Sequence, residues 1–125
     1  MNLYQDHILD HYHNPRHFGL LEKSTHQAEA LNPTCGDKLT LTVLIEDGTI
    51  KNLGFKGEGC AISLASASIL YDSLIGSAVS DTCLKEPSEI LSLTGLTISP
   101  GRMKCALLSL ETLKKALCGK LEVAK

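Results

Sequence analysis

Five cysteines, Cys35, Cys60, Cys83, Cys105 and Cys118, are the residues of this sequence best equipped for chemistry. Three of them sit in unusual company. Cys35 lies in Asn32-Pro33-Thr34-Cys35-Gly36-Asp37, a turn-rich stretch in which Gly36 gives the backbone freedom to aim Cys35 and Asp37 at one point. Cys60 follows Gly57-Glu58-Gly59 and opens a predicted helix, and Cys105 falls in the first turns of the last predicted helix. Unpaired N–H groups at a helix start favour thiolate, the form that binds metal or attacks sulfur. Three thiolates and the Asp37 carboxylate make four potential ligands, enough for a closed tetrahedral site. No Cys-x₂-Cys occurs, so spacing leaves three readings open: a shared metal site, three unrelated buried thiols, or a catalytic thiol without metal. Cys83, beside Asp81, Thr82 and Lys85, and Cys118, ending an apolar helical pattern, are read as small packing residues.

Composition bounds what surrounds these thiols. With 125 residues, 43% hydrophobic and 21% charged, the chain reads as one soluble domain spanning 1–125. A domain of this size buries roughly two-thirds of its unfolded surface and needs no disulfide to build a core. Twelve Lys+Arg against 14 Asp+Glu leave a net charge of −2, which argues against nucleic acid and anionic membrane as partners. The longest apolar stretch, Cys60 to Tyr71, is interrupted by Ser63, Ser66 and Ser68 and falls short of the roughly 18 residues of a membrane span. Met1 to His7 carries no signal-peptide pattern, so a cytoplasmic location is expected. Such a compartment does not sustain structural disulfides, and an odd number of cysteines cannot all pair.

Elements able to position the thiols follow from periodicity. Tyr4, Ile8 and Tyr12 with Leu9 form a helical stripe that Asn2 could cap and Asn14-Pro15-Arg16 stops. His7 and His11 share a face there, but one such pair supplies only two ligands, and the histidines are read as solvated or partner-facing. Gln27 to Leu31 is weakly extended before Asn32-Pro33. Lys38 to Glu46 alternates as a strand, Asp47-Gly48 is a two-residue hairpin turn, and Thr49 to Phe55 returns. Helices are predicted from Cys60 to Ile75, ended by Gly76, from Pro87 to Leu93, with Gly95 after it, and from Ser99-Pro100 to Gly119. The sum is an α+β fold: a small antiparallel three-stranded sheet covered by helices, with an N-terminal helix and a long C-terminal helix.

Asn32-Pro33-x-Cys35-Gly36-Asp37, Phe55-Lys56-Gly57-x-Gly59-Cys60-Ala61-Ile62-Ser63-x-Ala65-Ser66-x-Ser68 and Pro100-x-Arg102-x-Lys104-Cys105 together resemble the IscU/SufU family of iron–sulfur cluster assembly scaffolds. The opening Tyr4-x-x-x-Ile8-x-x-His11-Tyr12-x-Asn14-Pro15-Arg16-x-x-Gly19 matches as well, so the similarity runs from about Tyr4 to Leu117. The resemblance implies a scaffold, rather than a true enzyme, that takes sulfur from a cysteine desulfurase, binds iron, assembles a [2Fe-2S] cluster and passes it to apo-acceptor proteins. By matching position it implies Cys35, Asp37, Cys60 and Cys105 as ligands of cluster or Zn²⁺, with Zn²⁺ expected after aerobic purification. Cys105, flanked by Arg102 and Lys104, is the expected first sulfur acceptor and Cys60 the alternative. One oxygen among soft thiolates is the weaker partner for thiophilic iron, so Asp37 is expected to keep a cluster labile.

Two features divide the family's subtypes. Lys104 stands where IscU-type members place a histidine, as in SufU-type members, yet the insertion of SufU-type members between the second and third cysteines is missing. The alternative function is therefore a zinc-dependent sulfurtransferase that activates a desulfurase and relays persulfide. Ile98-Ser99-Pro100-Gly101-Arg102 replaces the Leu-Pro-Pro-Val-Lys segment through which IscU-type scaffolds engage a dedicated Hsp70 chaperone, so dependence on that partner is not expected.

Overall fold

The computed structural model describes residues 3–32, 36–94 and 100–118. Asn2, Pro33, Cys35, Gly95, Ser99 and Gly119, all named above, lie outside the described residues. The elements in order are α1 (Leu3–His13), β1 (His26–Asn32), β2 (Asp37–Glu46), β3 (Thr49–Glu58), α2 (Ala61–Asp72), α3 (Val79–Cys83), α4 (Pro87–Thr94) and α5 (Pro100–Leu117). The strands form one antiparallel sheet in the order β1-β2-β3, so the α+β architecture expected from the sequence is the one observed.

Alternation in β2 dictates how the sheet faces its helices. Leu39, Leu41 and Val43 point inward and are fully buried beside Ile50, Leu53 and Phe55 of β3. Removing each of these side chains from water contributes roughly 1.5–3 kcal/mol, and the covering surface comes from α2 and α5. Ala67, Leu70 and Tyr71 of α2, Leu108, Leu110 and Leu113 of α5, and Ile90 of α4 complete this core. Tyr71 is buried with its hydroxyl donating to the Ser109 carbonyl at 2.7 Å, which satisfies the one polar atom of that ring. Asp47 and Gly48, at φ 52° and 73°, make the tight turn that sets the β2–β3 register through Glu46↔Thr49.

The helices differ from the periodicity at their ends. Helix α2 stops at Asp72, and a turn through Ser73 to Gly76 carries the last apolar residues that the sequence assigned to it. Strand β3 runs on to Glu58 instead of ending at Phe55, because Lys56↔Thr40, Gly57↔Leu39 and Glu58↔Lys38 continue the ladder. That extension delivers the chain to Cys60 at the same end of the sheet as Asp37.

Two expectations about side chains are overturned. His11 is not solvated: it is buried between α1 and α2, its Nδ1 lying 2.7 Å from Ser68 Oγ, which also accepts the Arg16 N–H at 2.8 Å. Cys83 and Cys118, read as independent packing residues, form a disulfide with Cα atoms 6.1 Å apart. The polar stretch around Cys83 folds into the short α3, which packs on α5 and brings Cys83 to Cys118 just beyond that helix. Two of the five cysteines are thus joined to each other, away from Cys60 and Cys105.

Two measurements check these contacts. The disulfide closes a sequence separation of 35 residues, so Cys83→Ala with Cys118→Ala is expected to lower unfolding stability by about 2–4 kcal/mol in urea titrations. Burial, followed by the positive charge of Arg16 and His7, pushes the His11 pKa below the usual histidine value, against the weaker pull of Asp10 and Asp72. A depressed folded-state value means that stability is fully present above the unfolded pKa and is lost as pH falls through the folded one. Stability is therefore expected to drop on acidification below about pH 6.5, and His11→Gln should flatten that part of the profile.

Candidate metal centre

Asp37 opens β2, Cys60 precedes α2, and Cys105 is the sixth residue of α5. The extended β3 and the first turns of both helices end at the same place, so ligand atoms of these three residues all lie within 4.8 Å of one another. Among the described residues this is the one group of His, Cys, Asp or Glu with that geometry. The structure thus brings together three of the four residues singled out from the sequence, while Cys35 lies outside the described residues.

Asp37 is 1% exposed, and an isolated buried carboxylate would carry a heavy desolvation cost. Donors offset it. Oδ1 accepts the Cys60 backbone N–H at 3.0 Å, and Oδ2 accepts the Ser63 hydroxyl at 2.6 Å with Cys60 Sγ 3.8 Å away. Burial alone would raise the Asp37 pKa, but the Ser63 hydroxyl, the Cys60 N–H and the thiols of Cys105 and Cys60 outweigh it and hold the carboxyl below its usual range. The carboxylate therefore stays ionised and serves the start of α2 as a cap contributed from another element.

Backbone geometry makes room for this contact. Gly59 has φ +144°, and a Cβ placed there would collide with Asp37 Oδ1 and crowd its Cγ at 2.8 Å. Only glycine lets the chain turn from β3 into α2 this close to the carboxylate.

The two described thiols differ. Cys60 is half-buried at the N-cap position of α2, whereas Cys105 is fully buried. Burial on its own raises the Cys60 pKa; the Ser63 backbone N–H and hydroxyl and the Cys105 thiol outweigh it, leaving Cys60 below the usual thiol value despite the repulsion of Asp37. The helix-start argument made for both thiols fits Cys60, since α5 begins at Pro100 and Cys105 lies past the four N–H groups left unpaired at its start. Instead, Cys105 Sγ lies 4.0 Å from Asn32 Nδ2, at the end of β1. Lys104 is exposed beside it.

Soft sulfurs with one hard oxygen suit zinc or iron–sulfur iron, and they leave a trigonal set open to a fourth ligand. Sequence reasoning missed what Ser63 and Asn32 touch. The signal for Ser63 was its position three residues after Cys60, on the first turn of α2.

A family model described as the NifU-like N-terminal domain matches residues 3–120. The chain belongs to this family. It is 35% identical to the zinc-dependent sulfurtransferase SufU of Bacillus subtilis, across 92% of this chain and 89% of that protein. The iron–sulfur cluster assembly scaffold protein IscU of Thermotoga maritima is 36% identical, across 92% of each chain. Among solved structures, a SUF-system protein of Fervidobacterium islandicum superposes with a TM-score of 0.76 at 30% identity, over 90% of this chain and 94% of that one. The expected resemblance is therefore the family found, and its relatives carry names from both subtypes.

Gly59→Ala is expected to displace the Asp37 carboxylate and weaken Zn²⁺ binding by at least about tenfold, as losing an anchored ligand does. Competition with a chromophoric chelator measures it; unchanged affinity would mean that Asp37 is not held by this close approach.

Proposed function

We propose that the chain is an iron–sulfur cluster assembly scaffold. In this reading it accepts sulfur from a cysteine desulfurase, binds iron, assembles a [2Fe-2S] cluster on Cys35, Asp37, Cys60 and Cys105, and transfers it to apo-acceptor proteins. The observation that carries the reading is the convergence of Asp37, Cys60 and Cys105 within 4.8 Å, two thiols and a carboxylate delivered by three separate elements. Cys35, two residues before Asp37, supplies the remaining thiolate. No helix of the described residues is long and apolar enough to cross a membrane; the reading keeps a cytoplasmic location with protein and metal partners, which requires the Cys83–Cys118 disulfide to persist in a reducing compartment.

Sulfur delivery asks for an accessible thiolate, and Cys60 now has the stronger case than Cys105. It is half-buried with a depressed pKa, whereas Cys105 is fully buried. The Cys60 thiolate attacks the outer sulfur of the desulfurase persulfide; a new S–S bond forms on Cys60 as the old one breaks, and the desulfurase cysteine leaves as thiolate. A second reading, a zinc-dependent relay that activates the desulfurase and passes persulfide on, is favoured by Lys104 before Cys105 and by the 35% identity to SufU.

Anaerobic reconstitution with iron, cysteine and a desulfurase separates the two. A visible [2Fe-2S] chromophore that moves to an apo-ferredoxin is the expected result, whereas desulfurase stimulation by the zinc form without any cluster supports the relay. Asp37→Ala, which leaves a cluster held by sulfur alone, is expected to slow transfer to the acceptor by about tenfold; faster loss than in the wild type would overturn the lability assigned to Asp37.

A further inference from the structure

Ser63 is fully buried in the first turn of α2, with its hydroxyl aimed out of the helix at Asp37 Oδ2. Three buried hydroxyls in other helices do what such groups ordinarily do and bond back to their own helix. Ser109 donates to the Ala106 carbonyl, Thr112 to the Leu108 carbonyl and Thr82 to the Ala78 carbonyl. Ser63 instead reaches across to β2, and its Oγ also stands 3.6 Å from Cys60 Sγ. A hydroxyl carries one proton, and here the carboxylate, an acceptor only, is 1 Å nearer than the sulfur.

We propose that Ser63 is a positioning residue of the metal centre: it fixes the Asp37 carboxylate for ligation, an inference that rests on the metal-binding reading above. The Cys60 N–H on Oδ1 and the Ser63 O–H on Oδ2 pin both oxygens, so the carboxylate cannot rotate about its last bond. Each oxygen has a second lone-pair site, and that of Oδ2, 3.8 Å from Cys60 Sγ, remains available to an ion held by the sulfurs. Without the hydroxyl, the only other donors to the carboxylate among the described residues, besides the Cys60 N–H, are the thiols of Cys60 and Cys105, which lose their protons when they ligate, so ligation has to order it. Ser63 touches no ion in this scheme; it acts through Asp37.

A double-mutant cycle on Zn²⁺ binding, read by chelator competition with Co²⁺ absorption as the second readout, tests this. Ser63→Ala is expected to weaken Zn²⁺ by about 10–100-fold while sulfur-to-cobalt charge transfer persists. In an Asp37→Ala background the same substitution should change affinity by less than about twofold, because the path through Asp37 is gone. Ser66→Ala is the control: Ser66 Oγ, buried in the same helix, has no hydrogen-bond partner and its removal should leave binding unchanged. Should Ser63→Ala fail to fold, Ser63→Thr and Ser63→Val, equal in size and differing in the hydroxyl, are compared instead, with tighter binding expected for Thr. Unchanged affinity, or equal losses in both backgrounds, would overturn the positioning role alone. A wild-type chain that takes up neither Zn²⁺ nor Co²⁺ would overturn the metal-binding reading along with it.

Discussion

One buried carboxylate fixes the geometry of this molecule's working end. Asp37 cannot sit 1% exposed beside apolar strands unless its charge is met, and the groups that meet it come from the next helix. The Cys60 N–H and the Ser63 hydroxyl each donate to a different oxygen, so the start of α2 is fastened to the start of β2. The same two bonds hold Cys60 beside Asp37 and require the chain to pass at Gly59 with no side chain. Sheet, helix and thiol are thus referred to a single charge, and an error there propagates to all three.

Everything beneath serves to bring Cys105 to that charge. Helix α5 packs on β1, β2 and α2, and its inward stripe of Leu108, Leu110 and Leu113 fixes its rotation and height. Cys105 then faces Asn32 across the end of β1, where the Asn32↔Asp37 pair closes the ladder between the first two strands. Far along the same helix, the Cys83–Cys118 disulfide ties its other end to α3. Thirteen residues of helix put the two sulfur groups roughly 20 Å apart at 1.5 Å per residue, too far for direct exchange between them.

Much of this was legible in the sequence because it depends on short-range pattern. Alternation over Lys38 to Glu46 and the Asp47-Gly48 turn specified the hairpin, and the apolar spacing after Cys60 and after Pro100 specified the two covering helices. What local pattern could not hold was tertiary. The pairing of Cys83 with Cys118 requires α3 to fold and lean on α5, and nothing in Val79-Ser80-Asp81-Thr82 announces that contact. His11 looked like one of several polar histidines because its burial comes from α2, residues away in sequence, through Ser68. Parity also misled: an odd number of cysteines reads as no pairing, yet one bonded pair leaves an odd set for the site. The proposed ligand set came from motif resemblance, since spacing alone left three readings open.

Under the proposed function, cargo that must leave poses a particular problem for a site built from thiolates, because sulfur binds thiophilic ions tightly and a site free to rearrange would have to be ordered again each cycle. Asp37 addresses both sides of this. In that reading its oxygen is the weakest partner for soft iron in the proposed set, which favours departure. Its orientation is set by an N–H and an O–H of the protein, so it does not depend on the cargo for its place. The bonds that satisfy a buried charge in the fold are therefore, in the proposed function, the bonds that keep a ligand ready, so that stability and function would draw on one set of contacts at the same residue.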